Sequence, residues 1–129
     1  AHLVALDDMR QRHHAVAREL ITDMSMCAAL LADIDSLFAD LTALCHSLTV
    51  LSEATPRALD RMASFGERLS ARLLAAYLRQ QGFEASAVDA TGLIVTDDNF
   101  QDASPLMTET REQVQSVLLP MLAQSHLRR

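Results

Sequence analysis

Leu30, Ile34, Leu37, Leu41, Leu44 and Leu48 alternate four and three residues apart, which is the spacing of one face of an α-helix. Cys27, Leu31, Phe38 and Cys45 form an adjoining stripe, while Asp33, Asp35, Ser36 and Asp40 supply much of the polar side. Upstream, from Leu3 to Ile21, the apolar residues Leu6, Met9, Val16 and Leu20 recur near helical spacing, and His13 falls on the same stripe. Two such segments are expected to pair as an antiparallel hairpin joined around Thr22 to Ser25.

Composition agrees with a helical chain. Of the 129 residues half are apolar, yet only 4% are aromatic, with no Trp and one Tyr, so the core has to be aliphatic. Gly and Pro number three each, too few for a turn-rich sandwich or barrel. The net charge is −6, and all eleven basic residues are Arg. Nucleic-acid binding is disfavoured without a basic face, and Schiff-base chemistry or a phosphate-loop lysine is excluded within the chain. The longest apolar run, Met26 to Ala32, is far below the roughly 20 residues of a membrane span. The opening AHLVALDD has no basic flank or long apolar stretch of a signal peptide. No membrane association is expected, and two cysteines without an export signal point to a reducing cytoplasm.

Further along, Thr55-Pro56 reads as a helix start, with Thr as N-cap and Pro at the first helical position. That helix is expected to run to Gln81 and stop at Gly82, and to be buried nearly all round between Leu69 and Leu78. Phe83 to Val88 and Leu93 to Thr96 read as two short strands separated by Asp89-Ala90-Thr91-Gly92. Thr96 to Ser104 follows as a polar loop braced by Asn99 and Asp102. Ser104-Pro105 opens a last helix through about Ala123, broken or kinked at Pro120. The expected fold is mainly α with two short β-strands, a partial α/β unit. It is a single partial domain over 1–129, made of a helical hairpin over 1–54 and a helix-strand-strand-helix portion over 55–129.

Few motifs carry chemistry. His13 and His14 are adjacent and point about 100° apart on a helix, so they do not share a metal; Cys45 and His46 have the same problem. Cys27 and Cys45 lie roughly 27 Å apart along one helix, too far for a bridge or a shared ion. No metal site is expected. Neither cysteine sits at a helix N-terminus, no G-x-S-x-G is present, and Gly66, Gly82 and Gly92 stand singly rather than as a phosphate cradle.

Ser64-Phe65-Gly66-Glu67-Arg68-Leu69-Ser70 says more. Its spacing allows a capping box, in which Ser64 bonds the Glu67 amide and the Glu67 carboxylate returns to the Ser64 amide. It also allows an acid beside a glycine that lets a ligand approach the backbone, where the acid binds the ammonium of a small substrate.

The run SFGERLSARLLAAYLRQQGFEASAVDATGLIVTDDNFQDASPLMTETREQVQSVLLPML resembles the middle of the aspartokinase catalytic domain, in the amino-acid kinase family. The resemblance rests on Ser64, Gly66, Glu67, Ser70, Val88, Asp89, Thr96, Asp97, Asn99, Phe100, Ala103 and Thr110. It covers about half of the chain. It implies a piece of a three-layer αβα fold, with Glu67 holding the α-ammonium of L-aspartate and Ser64 in support. The family's Lys-Phe-Gly-Gly-Thr-Ser segment, its nucleotide-binding half and its regulatory domains have no counterpart in these residues. The chain is thus similar to a fragment of the amino-acid-binding half.

By that resemblance the full-length relative uses ATP and Mg2+ to phosphorylate the side-chain carboxylate of L-aspartate, the entry to lysine, threonine and methionine synthesis. The fragment itself is expected to carry no catalytic residue, bind no cofactor and be inactive. The alternative is a free-standing helical interaction or oligomerisation module that buries the Leu30 to Leu48 stripe against a partner. A homo-oligomer is expected, since a fragment exposes surfaces that its missing neighbours would cover. Size-exclusion chromatography with light scattering is therefore predicted to show self-association, and a clean monomer at high concentration would refute it.

Overall fold

The longest helix organises the first part of the chain. In the computed structural model, which describes residues 2–126, α1 spans His2–Leu20, α2 spans Met24–Leu51 and α3 spans Pro56–Gln80. Two compact units result, Ala1–Ala87 and Val88–Arg129. In the first, α2 packs against both α1 and α3. Its buried residues are Leu30, Ile34, Leu37, Phe38 and Leu41, the stripe expected from the sequence. Ala17 and Ile21 join them from α1, and Phe65, Leu69 and Ala76 from α3. Ile34 has no exposed surface. The stripe is consumed inside the unit, so its central residues present no free face to a partner.

Local chemistry sets the helix ends. Asp23 caps α2 by accepting from the Met26 amide at 2.8 Å, and Ser52 closes it in the left-handed region at φ 52°. Thr55 accepts from the Ala58 amide at 3.2 Å, with Pro56 opening α3. At the other end Gly82 adopts φ +87°. Its amide donates to the Arg79 carbonyl at 3.0 Å and that of Phe83 to the Leu78 carbonyl at 3.0 Å, the paired bonds of a Schellman ending. The expected N-cap, first proline and terminal glycine are all in place.

The tie between the α1–α2 turn and α3 is made by Gln80. Its side-chain oxygen accepts from the Thr22 amide at 2.6 Å, the Thr22 hydroxyl at 3.2 Å and the Asp23 amide at 3.3 Å. Its nitrogen donates to the Leu20 carbonyl at 3.0 Å. One amide thereby satisfies orphan groups at the end of α1 and the start of α2.

The second unit differs from expectation. The described residues contain no strand and no sheet and are about 75% helical. Phe83 to Val88 and Leu93 to Thr96 are not paired with each other, because Ala90–Gly92 is a 3-10 turn rather than a hairpin turn. The Leu93 and Ile94 amides both donate to the Ala90 carbonyl, at 2.9 and 2.8 Å, which turns the chain back on itself. Without a ladder neighbour, a short β-prone run has no strand to form. Among the described residues the sole pairing is an isolated antiparallel bridge between Thr96 and Pro105. This corrects the expected helix-strand-strand-helix arrangement and its partial α/β character.

The loop that this bridge closes is braced as expected. Asn99 donates to the Asp102 carbonyl at 3.0 Å, and Asp97 accepts from the Asn99 and Ser104 amides at 3.2 and 3.1 Å. The final helical stretch starts later than expected. It comprises α4 (Met107–Gln113), a π-helical turn (Val114–Leu118) and α5 (Leu119–His126). Pro120 has no amide to donate, so the turn before it widens to π register, where the Leu119 amide donates to the Val114 carbonyl. The helix bulges there instead of stopping.

Gln80→Ala is predicted to destabilise the first unit by about 1–3 kcal/mol in urea unfolding. Gln80→Glu keeps the acceptor but loses the donor to Leu20, so a smaller loss is expected. A change below about 0.5 kcal/mol for the alanine variant would show that these bonds contribute nothing net.

Candidate functional site

Phe65, Leu69, Ala75 and Ala76 are the buried residues of α3. They turn one face of the helix into the core and leave another in solvent. Exposed positions include Leu74 at 59% and Tyr77 at 39%, so the helix is not buried all round as the sequence suggested. Gly66, Glu67 and Ser70 are also exposed.

The capping box is not formed. The helix begins eight residues before Ser64, at Pro56, so the Ser64 and Glu67 amides are already occupied by helical bonds. The Ser64 hydroxyl instead donates to the Arg61 carbonyl at 2.7 Å. Arg68, next to Glu67, sets its guanidinium 5.2 Å from the centre of the Phe65 ring. The Glu67 carboxylate makes no hydrogen bond or ion pair among the described residues. Ser64 and Glu67 share one stretch of helix but no bond.

Gly66 is the odd residue in this segment. A glycine inside a helix costs roughly 0.5–1 kcal/mol relative to alanine. Its backbone does not need positive φ, and a Cβ built there meets nothing within 4 Å. Neither conformation nor packing among the described residues requires glycine at this position. The Ser70 hydroxyl folds back onto the Gly66 carbonyl at 2.9 Å and so adds little height above the backbone.

His13 and His14 take structural positions. The Nδ1 of His13 donates to the Met9 carbonyl at 2.8 Å, and its ring meets Phe38 edge-on at 5.4 Å. His14, only 7% exposed, donates from Nε2 to Asp35 Oδ1 at 2.8 Å. The same oxygen receives Arg10 at 3.1 Å, and Arg10 also holds Asp7 at 2.7 Å. The Arg10 guanidinium keeps the Asp7 carboxyl below the usual carboxylate range, and these carboxylates raise Arg10 in turn. This cluster latches α1 to α2 beside an open cleft of about 670 Å³ floored by Leu3, Leu6 and Phe38. Sequence reading paired none of these groups, because Asp35 read only as part of the wet side of α2.

No family profile matches the chain. Known proteins do. The aspartokinase of Schizosaccharomyces pombe is 36% identical over 85 residues, which cover 64% of this chain and 16% of that protein. Aspartokinase 3, chloroplastic, of Arabidopsis thaliana is 34% identical over 102 residues, 78% of this chain and 17% of that protein. Aspartokinase 1, chloroplastic, of the same plant is 34% identical over 95 residues, 72% and 16%. These matches support a kinase-family origin. More narrowly, its relatives are aspartokinases, and it is consistent with a fragment of one, spanning about a sixth of their length.

Because a Cβ at residue 66 meets open space, Gly66→Ala is predicted to stabilise this chain by about 0.5–1 kcal/mol in urea unfolding. A loss of stability would reveal a contact on this face that the structure does not contain.

Proposed function

We propose that this segment belongs to an enzyme that transfers the γ-phosphoryl group of Mg-ATP to the side-chain carboxylate of L-aspartate, at the head of lysine, threonine and methionine synthesis. Its own contribution is Glu67, which holds the substrate's α-ammonium. The observation that carries this reading is the carboxylate itself, solvent-facing on α3 and without a partner among the described residues. Phosphoryl transfer depends mainly on positioning and charge neutralisation. An ammonium fixed at Glu67 orients the rest of a small amino acid, and its distal carboxylate with it. Ser64 supports the site by shaping the turn before Glu67 rather than by touching it.

The groups that would meet phosphate lie elsewhere in the parent. This chain has no lysine and no glycine pair, so it is proposed to be inactive alone, with ATP and Mg2+ bound by the full enzyme. The parent is proposed to be a homo-oligomer. The two free cysteines, Cys27 and Cys45, suit a reducing compartment such as the cytoplasm. No helix among the described residues is long and apolar enough to cross a membrane. A free-standing module built on the Leu30 to Leu48 stripe has less support, since Leu30, Ile34, Leu37 and Leu41 are already covered by α1 and α3.

Glutamine at position 67 keeps shape and helix propensity but removes the charge. In an intact kinase containing this segment, Glu67→Gln is predicted to fold normally and retain ATP binding. It should lose about ten- to more than a hundredfold in aspartate kcat/KM, the equivalent of roughly 1.5–3 kcal/mol for a charge-assisted bond. Near-normal aspartate kinetics would leave Glu67 as an ordinary surface residue.

A further inference from the structure

We infer that the cleft between α1 and α2 binds a small amphipathic cation, a short apolar body with one ammonium or guanidinium head. The cleft lies within the first unit and measures about 670 Å³, inside the range of roughly 300–1,000 Å³ that small-ligand sites occupy. Its floor is apolar, made by Leu3 and Leu6 of α1 and Phe38 of α2. Leu3 remains 55% exposed, so an apolar body laid on this floor removes unfavourable surface from water. The rim is charged, and its charges do not cancel. Asp7, Arg10 and Asp35 line it together, two carboxylates against one guanidinium. With the imidazoles of His14 and His46 neutral, one negative charge is left over. Arg10 spans both acids, at 2.7 Å from Asp7 and 3.1 Å from Asp35, so the two carboxylates are held near each other. On Asp35 both donors, Arg10 and His14, use Oδ1. Its Oδ2 accepts no hydrogen bond among the described residues, and the side chain is 47% exposed, open to a head group. An anion in the same place would meet two carboxylates and a guanidinium whose Nη atoms are both already engaged. The net charge of −6 on the whole chain attracts the same sign of ligand.

The competing occupant is a polypeptide segment. A helix docked in a groove needs apolar anchors over several turns, whereas this floor offers three large side chains and the rim one unbalanced charge. The test uses n-octylammonium, n-octanol and n-octanoate, which share a chain and differ in the charge of the head. Titrated into this chain and followed by amide NMR shifts, octylammonium is expected to bind saturably, with shifts centred on Leu6, Phe38, Ala39 and Ala43. Octanol is expected to bind about tenfold more weakly, and octanoate more weakly still. Asp7→Asn removes the unbalanced charge and should weaken octylammonium by about three- to tenfold while leaving octanol unchanged. Ala43→Leu fills the cleft without touching a charge and should weaken both. Equal affinity for the three probes overturns the inference, since it shows bare apolar surface alone. So does a preference for octanoate, or shifts centred outside the cleft. Calorimetric titration of an intact kinase containing this segment should give the same order of probes. A kinase that does not bind octylammonium has the cleft filled by its own polypeptide, and that result also overturns the inference.

Discussion

Burial of one face of α2 is the constraint on which the first unit depends. Twenty-eight residues of helix cannot be held by propensity alone. Their stability comes from an aliphatic stripe covered on one flank by α1 and on the other by α3. Ile34 sits at the centre with no exposed surface, and burying such a side chain contributes about 1.5–3 kcal/mol. With so few aromatics available, many small contacts of this kind replace a few large ones. The packing also fixes the rotation of α3. Once Phe65 and Leu69 are turned inward, Gly66, Glu67 and Ser70 must face out.

Polar contacts then set the register of the helices, which apolar burial leaves loosely specified. Asp35 on α2 receives both His14 and Arg10 from α1. At the opposite end of that pair, Gln80 bonds backbone groups at both sides of the α1–α2 turn. The hairpin is thus fastened at the turn and part-way along its length. These ties are short and specific, so they define one alignment among several that the aliphatic stripes would tolerate.

Local signals were legible in the sequence. The four-and-three spacing of α2, the Thr55-Pro56 start and the Gly82 stop each act within a few residues, and all are found. The two expected strands do not form because strand formation is non-local: Phe83 to Val88 has suitable residues but no neighbour to pair with among the described residues. Gln80 and His14 left no trace, since a single amide or imidazole has no periodicity that names its partner. Pro120 signalled a disturbance but not its form, a π turn. For the candidate site the sequence named residues but not their setting. The proposed site rests on Ser64-Phe65-Gly66-Glu67, whose spacing also fits a helix start, and only the continuity of α3 from Pro56 separates the two.

That continuity leaves the Glu67 carboxylate exposed on α3 instead of bound into a cap. Amide hydrogen exchange read residue by residue across α3 tests it most directly. Amides at the start of a helix have no intrahelical acceptor and exchange quickly, while interior amides are protected. One continuous helix predicts fast exchange confined to the first turn after Thr55 and strong protection through Ser64, Phe65, Gly66 and Glu67. Fast exchange at residues 64–67, with protection resuming after them, would place a helix start there and contradict the account.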